Sequence, residues 1–387
     1  MNKQVPLGEL TPEQFLRDYW QKKPLLIRDA LPDFEPLLSA DELAGLACEQ
    51  DVESRLIRFD AKGDSWTLSK GPFDETHFSS LPSTSWTLLV QAVDHWVPEA
   101  AELMDRFNFI PNWRVDDLMI SYAVDGGGVG PHYDNYDVFL LQAEGTRRWE
   151  LGGICDEHSP RREDAPVMIL PEWEVKQSFE LNPGDMLYLP PQVAHNGVAV
   201  GDGCVTYSIG FRAPAHNEIL RSFSDFIGEQ LGREQRYSDA DLTLQANPGE
   251  ISAAALDRVA DILRGYLGNR DQLESWFGQY MTEPKYPELA EEGELLEESE
   301  IAGALAEGYS IRRAEGSRLA FVDHDDETVL LFADSQQHLA QSGAATLARQ
   351  LCRERELDVG QLSPLTPDAL SLLKKLLQQG CCYLTEG

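Results

Sequence analysis

Between residues 118 and 211 the chain alternates short apolar stretches with residues that reverse direction. The stretches 118–124, 138–142, 147–151, 186–189 and 205–211 are rich in β-branched, leucine and aromatic side chains. Between them stand Gly126-Gly127-Gly128, Glu144-Gly145 and Asn182-Pro183-Gly184-Asp185. Pieces this short make marginal helices, whereas Gly, Pro, Asn and Asp supply the dihedrals that turn a strand. Many short strands joined by such turns predict a β-sandwich or barrel.

The flanks read differently. Thr11-Pro12-Glu13-Gln14 is a helix start, with a hydroxyl cap, proline in the first turn and Gln positioned to return a hydrogen bond. Phe15, Tyr19 and Trp20 follow at helical spacing, Lys23-Pro24 stops the helix, and 25–27 reads as a short buried strand. The apolar run 86–93, ahead of His95-Trp96, reads as a further helix. After Pro214, the stretches 217–231, 251–267 and 270–280 carry helical periodicity, as in Ile219, Leu220, Phe223, Phe226, Ile227 and Leu231. A helical piece of this size builds little core of its own, so it is expected to make an oligomer contact. An acidic stretch, 288–300, marks the next boundary. Strand-like runs at 309–313 and 329–333, helices at 344–356 and 367–379, and a closing strand at 382–384 suggest a winged-helix-like unit. The expected organisation is therefore mixed β and α: a barrel over 1–215, a helical dimerisation segment over 216–286, and a winged-helix-like domain over 287–387.

Composition narrows the partners. The 387 residues hold 66 Asp and Glu against 32 Lys and Arg, a formal net charge of −34. Such a surface repels nucleic-acid phosphates and anionic lipid and attracts a basic partner, so direct DNA binding is not expected even from a winged helix. Adaptation to high salt would leave the same signature. No apolar run of about eighteen residues predicts a membrane span. Residues 1–6 lack the apolar stretch of a signal peptide, and the six scattered cysteines form no disulfide framework; both point to a cytoplasmic protein.

The chemistry concentrates in two motifs. In Gly130-Pro131-His132-Tyr133-Asp134, extended backbone projects His132 and Asp134 to one side. An imidazole and a carboxylate so placed are two members of a 2-His-1-carboxylate set, which leaves half of an octahedral Fe(II) sphere open. The run from Asn182 to His195 then launches a strand from a Pro-Gly-Asp turn and presents one histidine after Pro190-Pro191. It resembles the second motif of cupin-type double-stranded β-helix barrels, Gly-x5-Pro-x-Gly-x2-His, with Gln192 where the inner glycine stands. His195 is thus the third candidate ligand. If the co-substrate is 2-oxoglutarate, its distal carboxylate needs a cation, and arginine's planar fork suits it. Arg147 and Arg148 point to opposite faces of one strand, and periodicity alone does not choose between them.

His132-x-Asp134, then Arg147, then His195 is similar to the JmjC-type hydroxylases. The likeness extends over Trp113 to Ser121, Gly126 to His132, Asn135 to Phe139 and Tyr207 to Pro214, which look like the bacterial ribosomal oxygenases. That resemblance implies a double-stranded β-helix (cupin/JmjC) barrel with Fe(II) held by His132, Asp134 and His195, and 2-oxoglutarate on Arg147. It implies use of dioxygen to hydroxylate the β-carbon of an arginine in a basic large-subunit ribosomal protein, protein sixteen, and a homodimer. Ser121 and Tyr122 are candidate contacts to the co-substrate, and Asp125 and Tyr136 to the target guanidinium. Two other readings share the motifs: a JmjC-type hydroxylase of another protein or a small molecule, and a metal-binding cupin that is not an oxygenase.

Overall fold

The computed structural model describes residues 4–290, 292–358, 360–361 and 365–386. Residues 1–3 of the N-terminal stretch and Glu291 of the acidic stretch lie outside them. The chain divides into two compact units, residues 1–213 with 314–316, and 214–313 with 317–387.

In the first unit, α1 (Pro12–Asp18) starts as the sequence predicts. Thr11 Oγ1 accepts from the Gln14 N–H at 3.2 Å, and Gln14 Oε1 accepts from the Thr11 N–H at 2.9 Å. There follow β1 (Leu25–Ile27), α2 (Ala40–Leu46), β2 (Ser54–Asp60), β3 (Ser65–Lys70), α3 (Glu75–Ser79), β4 (Trp86–Val90), α4 (Pro98–Met104) and β5 (Val115–Ala123). Then come β6 (Val138–Ile154), β7 (Gln177–Leu181), β8 (Met186–Leu189) and β9 (Val193–Phe211). These make one nine-stranded antiparallel sheet in the order β1-β8-β6-β9-β5-β4-β2-β3, with β7 also on β6. The run 86–93 is therefore not a helix. Its first part is β4, paired on both sides by β2 and β5, and a strand covered on both faces shows the same unbroken apolar pattern as a buried helix.

Two strands are long, β6 and β9, and both bend. Glu144-Gly145 is not the turn that the sequence suggests but a break in register inside β6, between the pairs Gln142–Thr206 and Thr146–Val200. Gly145 has φ 65°, and a Cβ there would lie 2.7 Å from the Gly203 carbonyl oxygen, so only glycine permits the approach. Before the bulge β6 pairs with β8, and after it with β7.

The bulge also swaps faces. Phe139, Leu141 and Ala143 join Phe15, Phe107, Tyr188 and Tyr207 in the large core beneath the N-terminal helices. Val138 and Leu140 face the barrel interior with Leu187 and Leu189, and beyond the bulge Trp149 and Leu151 join that interior cluster. Even-numbered residues point inward before residue 143 and odd-numbered ones after it.

The second unit holds α5 (His216–Gln230), α6 (Ala253–Leu267), α7 (Arg270–Met281), α8 (Glu298–Ala306), β10 (Tyr309–Arg313), β11 (Leu319–Asp323), β12 (Thr328–Ala333), β13 (Gln336–Gln341), α9 (Ser342–Arg353), β14 (Glu356–Leu357), α10 (Pro367–Gln378) and β15 (Cys382–Glu386). Phe223, Ile227 and Trp276 tie α5 to α7, while α8, α9 and α10 enclose a core against the strands with Ile301, Leu331, Leu347 and Leu373. The strands form two three-stranded sheets, β14-β10-β15 and β11-β12-β13.

A buried polar knot anchors the barrel to its N-terminal cover. Asp137, fully buried, accepts from Tyr188 Oη at 2.6 Å, Gln21 Nε2 at 2.9 Å and Arg114 Nη2 at 3.4 Å. Asp137→Ala should leave these donors buried without an acceptor and destabilise the first unit by about 3 kcal/mol, read as a lower denaturant midpoint.

Candidate metal and co-substrate site

The metal set is assembled by one antiparallel bridge. His132 N–H donates to the His195 carbonyl at 2.9 Å, and His195 N–H returns the bond at 2.8 Å. His132 is thus not inside a regular strand, as its motif suggests, but in extended chain laid against the start of β9. Tyr133 is buried between its neighbours, so His132 and Asp134 open to the other side. Gln192 has φ 70°, the left-handed conformation that glycine occupies in the cupin motif, and its N–H donates to the Asp134 carbonyl at 2.6 Å. The turn thereby ties one ligand segment to the other.

The ring nitrogens are assigned by their partners. His132 Nδ1 lies 2.7 Å from the Gly130 carbonyl, and His195 Nδ1 lies 2.8 Å from the Val193 carbonyl. A carbonyl only accepts, so each Nδ1 carries a proton, and each Nε2 is the ring nitrogen left to meet a metal. Both Nε2 atoms point at Asp134 Oδ2, at 3.9 and 3.6 Å. Burial, with the His132 imidazole beside it, pushes the His195 pKa down to about 4 against the pull of Asp134, so His195 stays neutral and ready to ligate. Among the described residues this is the only such group of three, with ligand atoms within 4.8 Å of one another. Two imidazoles and one carboxylate on one side suit Fe(II) with its remaining positions open.

The same pair of strands carries a cation two inward rows from His195. Arg147, after the bulge, points inward and is 4% exposed, whereas Arg148 points out towards Glu150 at 3.9 Å. The Arg147 guanidinium makes one long bond, from Nη1 to the Gly197 carbonyl at 3.4 Å, and its Nε and Nη2 are buried without a partner. A buried charge with two idle donors is costly unless an anion meets it. A carboxylate of the co-substrate fits that need.

The structure sorts the remaining candidates. Ser121 lies on the inward side of β5 beside Thr206, and its hydroxyl donates to the Thr206 carbonyl at 3.4 Å. Tyr122, one residue on, packs instead in the outer core against Trp86, on the face of β5 away from Ser121. Tyr136 stands next to the metal set. Burial of its hydroxyl together with the nearby Asp134 charge raises its pKa, while the residue stays 44% exposed. Asp125 is not brought to the metal. It caps the bend in β9, where its Oδ1 accepts from the Gly201 N–H at 2.8 Å, six residues and roughly 20 Å of extended chain from His195. Sequence reasoning passed over Trp149, which faces inward between Arg147 and His195; two-residue spacing from Arg147 would have found it.

A double-stranded β-helix with a His-Asp-His set and an inward cation is the arrangement of the JmjC class of oxygenases. A JmjC domain model matches residues 102–219, a ROXA-like winged-helix model matches 259–383, and an AraC-like ligand binding domain model matches 176–265. The chain is 36% identical to the ribosomal protein uL16 3-hydroxylase of Escherichia coli, across 80% of this chain and 82% of that one. It is 32% identical to a probable ribosomal oxygenase of Haemophilus influenzae, across 98% and 95%. The structure of the E. coli ribosomal oxygenase YcfD with cobalt and 2-oxoglutarate matches with a TM-score of 0.85 at 32% identity, over 97% of this chain and 99% of that one. The chain belongs to the JmjC-type ribosomal oxygenases.

The two arginines separate the roles by experiment. In protein loaded with cobalt, Arg147→Leu should weaken 2-oxoglutarate binding by at least about thirtyfold, and Arg148→Leu should leave it within twofold, both read by calorimetry.

Proposed function

We propose that this protein is a 2-oxoglutarate- and Fe(II)-dependent dioxygenase that hydroxylates the β-carbon of an arginine in large-subunit ribosomal protein uL16. The observation that carries the reading is the buried, under-bonded guanidinium of Arg147, two inward rows along β6 and β9 from His195 of the His132, Asp134 and His195 group. When bound, the iron supplies the oxidising chemistry: the substrate C–H, dioxygen and 2-oxoglutarate become C–OH, succinate and carbon dioxide.

The protein's own side chains prepare that event. His132, Asp134 and His195 occupy one side of the metal and leave the other for co-substrate and dioxygen. Arg147 takes the distal carboxylate, and Ser121, on the same inner face, is a further contact. Val138, Leu140, Leu187 and Leu189 line the interior with apolar surface that excludes water. Tyr136, close to Asp134, offers its exposed ring to the incoming cationic arginine.

The partner reading follows the charge. A basic ribosomal protein complements a net charge of −34, and the same charge disfavours DNA. A uL16-modifying enzyme meets its substrate in the cytoplasm, and no helix of the described residues is long and apolar enough to cross a membrane. Incubation with Fe(II), 2-oxoglutarate and uL16 should give succinate together with a 16 Da gain on one arginine, abolished by His132→Ala. Turnover on another substrate alone would reassign the target, and absence of any 2-oxoglutarate turnover would overturn the enzyme reading.

The helical segment is the proposed dimer contact. On α6, Leu256, Leu263 and Leu267 are each more than half exposed, as is Leu220 on α5. Such a row on a water-facing helix fits a second copy. Leu256→Asp with Leu263→Asp should give monomers in sedimentation analysis, with the metal affinity of the barrel unchanged.

A further inference from the structure

One buried donor in the barrel has no acceptor, and the inference drawn from it rests on the 2-oxoglutarate reading. Nε1 of Trp149 has no hydrogen-bond partner although the residue is only 6% exposed. Buried indole N–H groups nearly always find one. The register of β6 against β9 places this indole. Successive inward pairs are Leu151 with His195, Trp149 with Gly197, and Arg147 with Ala199. Trp149 therefore fills the row between the metal ligand and the cation. Its ring lies 5.9 Å from the His195 ring, and the Arg147 guanidinium carbon sits 5.8 Å from its centroid.

The orientation is set by Gly197. A Cβ there would meet Cη2, Cζ3 and Cε3 of Trp149 at 2.6 to 2.9 Å, so the six-membered ring lies flat on bare backbone. Nε1 sits on the edge of the bicycle opposite Cε3 and Cζ3. A co-substrate that chelates the metal with its keto-acid end and reaches Arg147 with its distal carboxylate must run past this row. We propose that Trp149 is a positioning residue for the co-substrate, donating its Nε1–H to a carboxylate oxygen that Arg147 also holds. The charge supplies attraction and the indole supplies direction, which fixes how far the keto-acid end reaches towards the metal.

The test uses full-length protein loaded with Zn(II), which binds the same side chains, is diamagnetic and does not turn over. Trp149→Phe keeps an aromatic wall and removes only the donor. Its Kd for 2-oxoglutarate should rise by about tenfold or more with zinc affinity unchanged. In the wild type, the Trp149 indole N–H resonance, identified by its absence from the variant, should move downfield when 2-oxoglutarate is added. A Kd within twofold of wild type, or a resonance that does not move downfield, overturns the proposal and leaves the Arg147 reading intact. If the variant does not fold, Trp149 is assigned by selective labelling and the resonance decides. If wild-type protein binds no 2-oxoglutarate, the co-substrate reading falls and this proposal with it.

Discussion

The pairing of β6 with β9, broken at one point by a bulge, is the constraint on which the rest of the catalytic unit depends. Each strand changes the face it presents where it bends, β6 at Gly145 and β9 near Gly201 and Gly203, all three with positive φ. The bend lets one pair of strands serve two jobs. On one side of it, Phe139, Leu141, Tyr207 and Ile209 bury the core under the N-terminal helices. On the other, Arg147, Trp149, His195 and Gly197 line the interior where the chemistry belongs. Straight strands of the same composition would put Arg148 inside and Arg147 in water.

The metal set depends on this frame twice over. His195 is carried into the interior by β9, and His132 is held against it by a pair of backbone hydrogen bonds rather than by a strand of its own. Each imidazole is then fixed in one tautomer by a carbonyl of its own segment. Burial sets the electrostatics of the site. Burial keeps His195 neutral, and the same burial leaves Arg147 with donors that only an anion of suitable shape can use. In a chain so acidic overall, a cation with no protein carboxylate beside it implies a ligand that brings its own.

Sequence and structure part company for tertiary reasons in one place and local reasons in others. The run 86–93 has no polar alternation because β4 is covered on both faces, which removes the one signal that separates strand from helix. β3 and β13, Ser65–Lys70 and Gln336–Gln341, are too polar to stand out from loops in the sequence. Tyr122 was a candidate because it neighbours Ser121, and neighbours on a strand face opposite ways. Asp125 precedes the glycine run that leads to His132, and its carboxylate accepts from the Gly201 N–H at the bend of β9.

Much was legible locally. The capping box of α1, the boundaries of β8 and the helices after Pro214 follow from residue types at short spacing, and so does the pairing of the candidate ligands His132 and Asp134, because caps, turns and side-chain alternation are set within a few residues. The choice of Arg147 over Arg148 is different in kind. Alternation is a local rule, and a bulge resets it by an amount that depends on which residues of the partner strand take up the hydrogen bonds. Gly145 marks where such a reset can occur, yet only its approach to the Gly203 carbonyl decides that the chain bulges there rather than turns. The sequence alone determined which side chains could hold iron. The tertiary pairing decided which arginine faces them and that Trp149 lies between.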